Sequence, residues 1–290
     1  MVNFSVIQDM SNWLFLLQKP ENLGDAESIE SWFARIASQL LNVCYLVVGN
    51  EPHRLVEIEF YYCGDVHPDP FTHRDRLQLE FGRWYFHRTR GMYRGGSFKG
   101  LDLTFGDGKA YAGVLIRSIK TPEGILIDGP SLCVDYLLTK VGFNDVAALD
   151  EAIGSKVIWD SESPLFLQEN DAIEQQQIWR SARVGLSLKK AKASDQMPRY
   201  IMLSYRYLTE PRRISKGKPY LVLSLYAQGI DPTTIQQLTG STKQSIQRYI
   251  DDFEAGRLEI DFTSYFGMDL NPKLLCKLHG TCHGMGNRNG

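Results

Sequence analysis

Two carboxylates stand two residues apart in the segment VEIEFYY, which covers residues 56–62. Successive side chains of an extended strand point to opposite faces, so Glu57 and Glu59 share one face while the apolar residues between them share the other. Taken alone, this pattern is typical of a strand with one solvated face. A carboxylate can also act as a general base, and the surrounding segments decide between the two interpretations.

Helical and strand patterns surround this segment. Apolar side chains recur at helical spacing in IESWFARIASQLL at 29–41, which predicts a helix. Apolar or alternating runs predict strands at 43–49, 55–62, 82–88, 98–105, 111–119 and 124–127. The sequence Gly129-Pro130-Ser131 predicts the start of a helix of about ten residues.

Composition limits the class of protein. The chain has 290 residues, of which 43% are hydrophobic, enough for one large domain or one domain with a small appendix. The formal net charge of -2 does not indicate a polyanion partner, so any DNA-binding surface must be a local patch of positive charge. Five cysteines without framework spacing, and no recognisable signal peptide or apolar span, lead us to expect an intracellular, cytoplasmic protein without a membrane partner.

Five elements follow one another along the chain: VEIEFY at 56–61, His73, GRWYFHRTRGMY at 82–93, GVLIRSI at 113–119 and GPSLC at 129–133. In type and order they resemble the alkyladenine (methylpurine) DNA glycosylase family. The family fingerprint is a strand of the form VETEAY followed by a histidine, a tyrosine-rich hairpin, an apolar strand ending in LLR, and a helix start with GPS and LC. With SARVGL at 181–186 and LTEPRR at 208–213, the resemblance covers roughly residues 50–215.

The resemblance implies an α/β (α+β) fold whose core is a mixed, largely antiparallel curved sheet. It makes Glu59 the catalytic base. Cleavage of a nucleoside C–N bond builds positive charge on the sugar, which a carboxylate can stabilise while it deprotonates the attacking water. We therefore expect a monofunctional DNA glycosylase, without lyase activity and with neither cofactor nor metal, that leaves an abasic site and acts as a monomer.

The target base must leave the duplex before its glycosidic bond can be reached, so a pocket with aromatic walls is expected. By the same resemblance, Tyr61 is the stacking tyrosine and Arg117 is the pocket-side arginine. His73 is the nearest match to the pocket histidine of the family. His67 competes with it, and either histidine could instead be a solvated loop residue.

Two departures make the predicted pocket more polar than that of the family. His87 replaces an opposing tyrosine, and Asp102 replaces an asparagine that lines the pocket. Such groups suit a base with hydrogen-bond donors, for example a modified cytosine in phage DNA, and hence a role in antiviral defence. Repair of alkylated purines and non-catalytic DNA binding on the same fold remain alternatives. Asp102 could also be structural, capping the turn after Lys99-Gly100.

A basic hairpin supplies the predicted DNA contacts. Its arginines are suited to phosphates and its exposed side chains to a wedge that fills the gap left by the flipped base. The residues concerned are Arg83, Arg88, Arg90, Met92, Tyr93 and Arg94. The family wedge falls at Arg90, with Met92 and Tyr93 as neighbours. An ordinary charged hairpin is the alternative. Backbone N–H groups at the Ser131 helix start could hold a phosphate.

The pattern changes from about residue 217, where three short amphipathic helices are predicted at 220–228, 231–239 and 242–254. The last two, joined through Gly240-Ser241, resemble a helix-turn-helix. The side chains facing DNA would then be Lys243, Gln244, Gln247 and Arg248. Such helix pairs also serve as plain packing units.

The predicted organisation is a glycosylase-like domain at 1–216, a helix-turn-helix-like module at 217–270 and a tail at 271–290. The last residues, 279–290, have too few core-forming residues to be ordered on their own. The tail contains Cys276, His279, Cys282 and His283, but their spacing is too compressed for the usual zinc ligands, so we expect no metal.

Overall fold

A computed structural model of the protein describes residues 13, 15–21, 23, 26–170, 172–191 and 197–288, with side chains to residue 285. The α-helices are α1 (Ala26–Asn42), α2 (Pro130–Val141), α3 (Val146–Ile153), α4 (Met197–Ile201), α5 (Lys218–Ala227), α6 (Pro232–Thr239), α7 (Lys243–Arg257) and α8 (Pro272–Arg288). Short 3-10 helices lie at Arg76–Leu79, Gly96–Phe98 and Thr263–Tyr265.

The strands are β1 (Cys44–Val48), β2 (Glu51–Gly64), β3 (His67–Pro68), β4 (Phe81–Phe86), β5 (Arg88–Thr89), β6 (Met92–Tyr93), β7 (Leu101–Phe105), β8 (Tyr111–Lys120), β9 (Leu126–Asp128), β10 (Leu165–Glu169), β11 (Trp179–Ser181) and β12 (Arg206–Leu208). The main path of the sheet is β10-β1-β2-β8-β7-β4. Each neighbouring pair on this path is antiparallel. The predicted α+β class, with a large antiparallel sheet and a helical C-terminal module, is confirmed.

The chain divides into two units. The first comprises Met1–Ile178 and Tyr207–Thr209, and the second comprises Trp179–Arg206 and Glu210–Gly290. Along the chain, the first change of unit falls after Ile178, upstream of the predicted domain boundary at residue 216.

In the first unit, α1 covers one face of the sheet. Its apolar residues recur at helical spacing, and Trp32 and Phe33 are completely buried. The Phe33 ring stacks on Phe60 of β2 at 4.5 Å, and the Trp32 ring meets Phe105 of β7 edge-on at 5.2 Å. Successive side chains of a strand point to opposite faces, so the residues that alternate with Phe60 and Phe105 point away from α1.

The second unit is built mainly from α5, α7 and α8. The prediction of a tail that is not ordered is wrong, since Pro272–Arg288 forms the long helix α8 with Leu275, Cys276 and Leu278 buried. Two glycines of α8 lie directly against the backbone of α7. An added Cβ at Gly280 would overlap the carbonyl oxygen of Phe253, and one at Gly284 would lie 2.7 Å from the carbonyl oxygen of Arg257. The absence of side chains therefore lets α7 and α8 approach backbone to backbone.

Candidate active site

The face of the sheet opposite α1 carries the polar residues singled out from the sequence. One register row runs across four strands through Glu59, Leu115, Asp102 and Tyr85. Residues directly opposite one another in an antiparallel pair point to the same face, so this row brings the carboxylates of β2 and β7 to one side. With neighbouring strands about 4.8 Å apart, the backbones of Glu59 and Asp102 are roughly 10 Å apart.

Glu57 and Glu59 are both completely buried, so the interpretation as a solvated strand face is wrong. Both carboxylates face Arg117 of β8, whose Nε lies 2.8 Å from Glu57 Oε1 and 3.3 Å from Glu59 Oε1. Ser118 Oγ donates to Glu57 Oε2 at 2.7 Å, and Tyr61 Oη donates to Glu59 Oε2 at 2.9 Å. The cluster compensates the burial of charge by pairing and hydrogen bonding.

Arg117 is the central cation of this cluster. Burial alone lowers the pKa of a guanidinium, but the charges of Glu59 and Glu57 outweigh it and raise the pKa of Arg117 above its ordinary value. The helix α2 covers the same strand, where Cys133 Sγ donates to the Arg117 carbonyl at 3.4 Å. Burial, followed by the charge of Glu57, raises the pKa of Cys133 to about 12, so this thiol is a packing group.

His87 and Asp102 form a second polar pair on this face. His87 Nε2 lies 2.7 Å from Asp102 Oδ1, and Gln78 Nε2 donates to Asp102 Oδ2 at 3.2 Å. Gly113 makes room for this arrangement, since an added Cβ there would lie 2.7 Å from Asp102 Oδ2 and 3.0 Å from Gln78 Nε2. Asp102 therefore holds the imidazole of His87. Neither of these two hydrogen bonds caps the turn after Lys99-Gly100, which was the structural alternative for Asp102.

His73 joins the same group, which distinguishes it from its competitor His67. The His73 ring meets that of His87 at 4.3 Å, and its Nδ1 lies 3.4 Å from Tyr85 Oη. Burial, followed by the neighbouring His87, lowers the pKa of His73 to about 4, so its ring is neutral at pH 7. His67 instead lies 6.1 Å from Tyr62, on the face packed against α1.

Exposure shows the side from which this site is reached. Tyr61, His73 and His87 are partly exposed, whereas Glu59 and Asp102 are at most 1% exposed. Each buried carboxylate therefore has a partly exposed ring as its hydrogen-bond partner, Tyr61 for Glu59 and His87 for Asp102.

The residues of the basic hairpin divide into partly exposed ones with structural contacts and exposed ones at the tip. Arg88 pairs with Asp150 at 2.6 Å and lies over the Tyr93 ring, while Arg83 binds the carbonyl of Ser155. These interactions anchor the hairpin to α3 and the residues that follow it. Arg94 Nε donates to Thr89 Oγ1 at 2.9 Å, a local contact within the hairpin.

The tip of this hairpin is exposed. Arg90 and Gly91 have φ values of 53° and 80°, which define a two-residue turn of type I′. Arg90 is exposed, and Met92 is 72% exposed. These two residues are accessible to a partner, whereas Arg83, Arg88 and Tyr93 have structural contacts.

Ser131 lies in the first turn of α2, as predicted. The N-cap is Gly129, with a φ of 127° that only glycine adopts readily, and Pro130 follows it. Ser131 Oγ donates to the Gly96 carbonyl at 2.7 Å and is 9% exposed. Its side chain thus tethers the loop that follows the basic hairpin.

In the second unit, α6 and α7 form the predicted helix pair. Gly240 ends α6 in the left-handed conformation, and Thr242 caps α7 by accepting from the Ser245 N–H. The four side chains predicted to face DNA are all exposed: Lys243, Gln244, Gln247 and Arg248. Gln247 Nε2 also donates to Asp251 Oδ1 at 2.8 Å.

Several residues of the site escaped the sequence interpretation. Glu57 was treated as equivalent to any solvated carboxylate, and Gln78, Tyr85 and Ser118 were assigned no role. For Glu57 and Ser118 the sequence did offer a signal, because Glu57 shares a strand face with Glu59 and Ser118 directly follows Arg117. Gln78 had none, because its contact with Asp102 spans 24 residues of sequence.

Within the part of the chain that the structure describes, no group of three or more histidine, cysteine or acidic residues is arranged to hold a metal ion. Over the same residues, no helix is long and apolar enough to cross a membrane.

No protein-family model matches the chain. A relative with substantial identity is an uncharacterized protein of Acanthamoeba polyphaga mimivirus. The two are 34% identical over 209 residues, which cover 66% of this chain and 92% of the viral protein. The chain therefore belongs to the same family as this mimivirus protein.

Proposed function

We propose that the protein is a monofunctional DNA glycosylase that flips a modified base out of DNA and hydrolyses its N-glycosidic bond, with Glu59 as the general base. One observation carries the proposal: the carboxylate of Glu59 is completely buried and accepts a hydrogen bond from the partly exposed Tyr61, on the sheet face that also carries Asp102. A buried carboxylate beside an accessible aromatic ring can act on the sugar of a base that stacks on that ring.

The charges of the buried cluster around Glu59 favour this reaction. Glu57, Glu59 and Arg117 together carry two carboxylates and one guanidinium, all buried. Positive charge that develops on the sugar in the transition state is attracted to the excess carboxylate, and the attraction is stronger where water is excluded.

The reaction balances without a further reagent. The C–N bond breaks and its electron pair leaves with the base, while water oxygen bonds to C1′ of the sugar. Glu59 accepts one proton of that water and passes it to solvent, while the released base gains one proton from solvent, so that one water molecule is consumed and Glu59 is again a carboxylate. The products are the free base and an abasic site.

The polar pair favours a base that carries hydrogen-bonding groups. Both oxygens of Asp102 already accept hydrogen bonds, from His87 and Gln78. His87 is thus the group of this pair that lies at the accessible edge. We propose that it contacts the exocyclic or substituent groups of a modified base, a modified cytosine of phage DNA being one example, in preference to an alkylated adenine.

A second candidate function is DNA binding without catalysis. The exposed polar residues of α7 favour it, since the cationic side chains of Lys243 and Arg248 are accessible to DNA phosphates. Loss of base release in a Glu59 variant separates the two functions, because a binding protein has no release to lose.

The deciding experiment measures bases released from a panel of duplex and single-stranded DNA with alkylated purines, hydroxymethylated cytosine or glycosylated cytosine. Mass spectrometry identifies the base, and alkaline cleavage locates the abasic site. Wild type is compared with Glu59→Gln and with Glu123→Gln, an exposed control. We expect release by wild type and the control, and a loss of at least about 100-fold in Glu59→Gln. Full activity of Glu59→Gln contradicts its role as base, and no release by wild type from any substrate contradicts the proposed activity.

A further inference from the structure

An open cavity lies in the second unit, with lining residues from α5, α7 and α8. Its volume is about 410 Å³, within the range of small-molecule sites in proteins. The residues used below line it: Tyr220, Leu223, Ser224, Ala227, Phe253 and His279. This cavity shares no residue with the candidate active site.

His279 is the unusual group of this cavity. The residue is 5% exposed, and its Nε2 atom is buried without a hydrogen-bond partner among the described residues. Burial lowers the pKa of His279 to about 3, so the imidazole is neutral at pH 7. A buried polar atom without a partner destabilises the folded state, and a ligand that hydrogen-bonds to Nε2 would remove this cost.

The walls supply flat apolar surfaces and polar groups. The Tyr220 ring meets the His279 ring edge-on at 5.6 Å, and Phe253 and Leu223 belong to the buried core beside the cavity. Ser224 Oγ donates to the Arg180 carbonyl at 2.9 Å and lies 3.2 Å from Gln228 Nε2. Aromatic surfaces with a few fixed polar groups suit a planar ring that has hydrogen-bonding atoms at its edge.

We propose that this cavity binds a small heteroaromatic molecule of the nucleobase or nucleoside class, with a ring-edge atom of the ligand hydrogen-bonded to His279 Nε2. A neutral imidazole donates from one nitrogen and accepts at the other, so Nε2 can pair with either a donor or an acceptor of the ligand. Binding at this position is independent of catalysis in the first unit.

Two variants test the site in different ways. His279→Phe keeps a ring of similar size but removes the nitrogen. Ala227→Trp fills the cavity from the end of α5, where Ala227 is exposed and the substitution disturbs no buried packing. Leu258→Trp is the matched control, because Leu258 is 79% exposed in the same unit and does not line the cavity.

The experiment is isothermal titration of the full chain with cytosine, cytidine, adenine, adenosine and 5-hydroxymethyl-2′-deoxycytidine, with ribose as the non-aromatic probe. We expect at least one heteroaromatic probe to bind wild type and the Leu258→Trp variant equally. Affinity should fall at least tenfold in His279→Phe and be lost in Ala227→Trp. Absence of binding by all probes overturns the proposal, as does unchanged binding in Ala227→Trp, which decides the matter if His279→Phe does not fold.

Discussion

His87 Nε2 lies 2.7 Å from Asp102 Oδ1, and the carboxylate is itself held by Gln78. A carboxylate accepts hydrogen bonds and cannot donate them, so the proton of this pair lies on His87 Nε2. The orientation of the ring and the position of its proton are thus set by a residue of β7. In the proposed function, Asp102 would act on a bound base through His87.

Replacement of Asp102 by asparagine should impair this orientation. We expect base release to slow about 10- to 100-fold, which corresponds to the loss of one charge-assisted hydrogen bond. Single-turnover rates and DNA affinity should be measured separately, since the affinity is expected to change little. Asp102→Glu, which retains the carboxylate, should recover part of the rate. Equal rates in Asp102→Asn and wild type would exclude a positioning role.

Arg117 should be required for folding of the first unit. Arg117→Met leaves the buried Glu57 and Glu59 without their shared cation, and such a loss costs about 3–5 kcal/mol. The free energy of unfolding, measured by urea denaturation, checks the value. The double variant Arg117→Met with Glu57→Gln should recover part of the loss, because one carboxylate is then removed. Additive effects of the two substitutions would contradict direct pairing.

The stability of the second unit should depend on the titration of His279. The pKa of this buried histidine is about 3, against an ordinary value of 6.5. Below pH 6.5 the unfolded chain binds a proton that the folded chain does not, so stability is complete above pH 6.5 and falls as the pH decreases toward 3. At pH 4 the loss is on the order of 3 kcal/mol.

Urea denaturation of wild type and His279→Phe between pH 4 and 7.5 checks this expectation. The difference between the two curves isolates His279, because all other groups titrate in both proteins. The variant should lose less stability on acidification. Parallel curves would show that the histidine does not titrate as described.

Strand alternation in the sequence predicted which face carries Glu57 and Glu59 but could not predict whether that face is buried. The pattern of β2 placed Glu57 and Glu59 on one face, and both lie there. Burial of that face depends on Arg117, about 60 residues later, and on α2 above it. A local pattern therefore cannot distinguish a solvated polar face from one that is buried and paired. The His87–Asp102 contact likewise depends on the register between β4 and β7.

Exposed residues of α7 provide a test of DNA binding by the second unit. Lys243→Glu and Arg248→Glu should each weaken affinity for duplex DNA roughly tenfold at low salt, since each removes one cation that can contact phosphate. The slope of log Kd against log salt concentration should fall by about 1 per contact. Lys273→Glu, at an exposed position of α8, changes the net charge equally and is the control. Equal effects of all three variants would indicate a general charge effect without a specific surface.

The close approach of α7 and α8 predicts that Gly280 tolerates no side chain. Gly280→Ala raises helix propensity by up to about 1 kcal/mol, yet its Cβ would overlap the Phe253 carbonyl, a backbone atom that cannot move without separating the helices. We expect net destabilisation of about 1–3 kcal/mol by urea denaturation. Gly95→Ala is the matched control, because a Cβ there meets no atom within 4 Å and its φ is negative. A Gly280→Ala protein as stable as this control would mean that the two helices lie further apart than described, and the ordered state of residues 272–288 would then need another explanation.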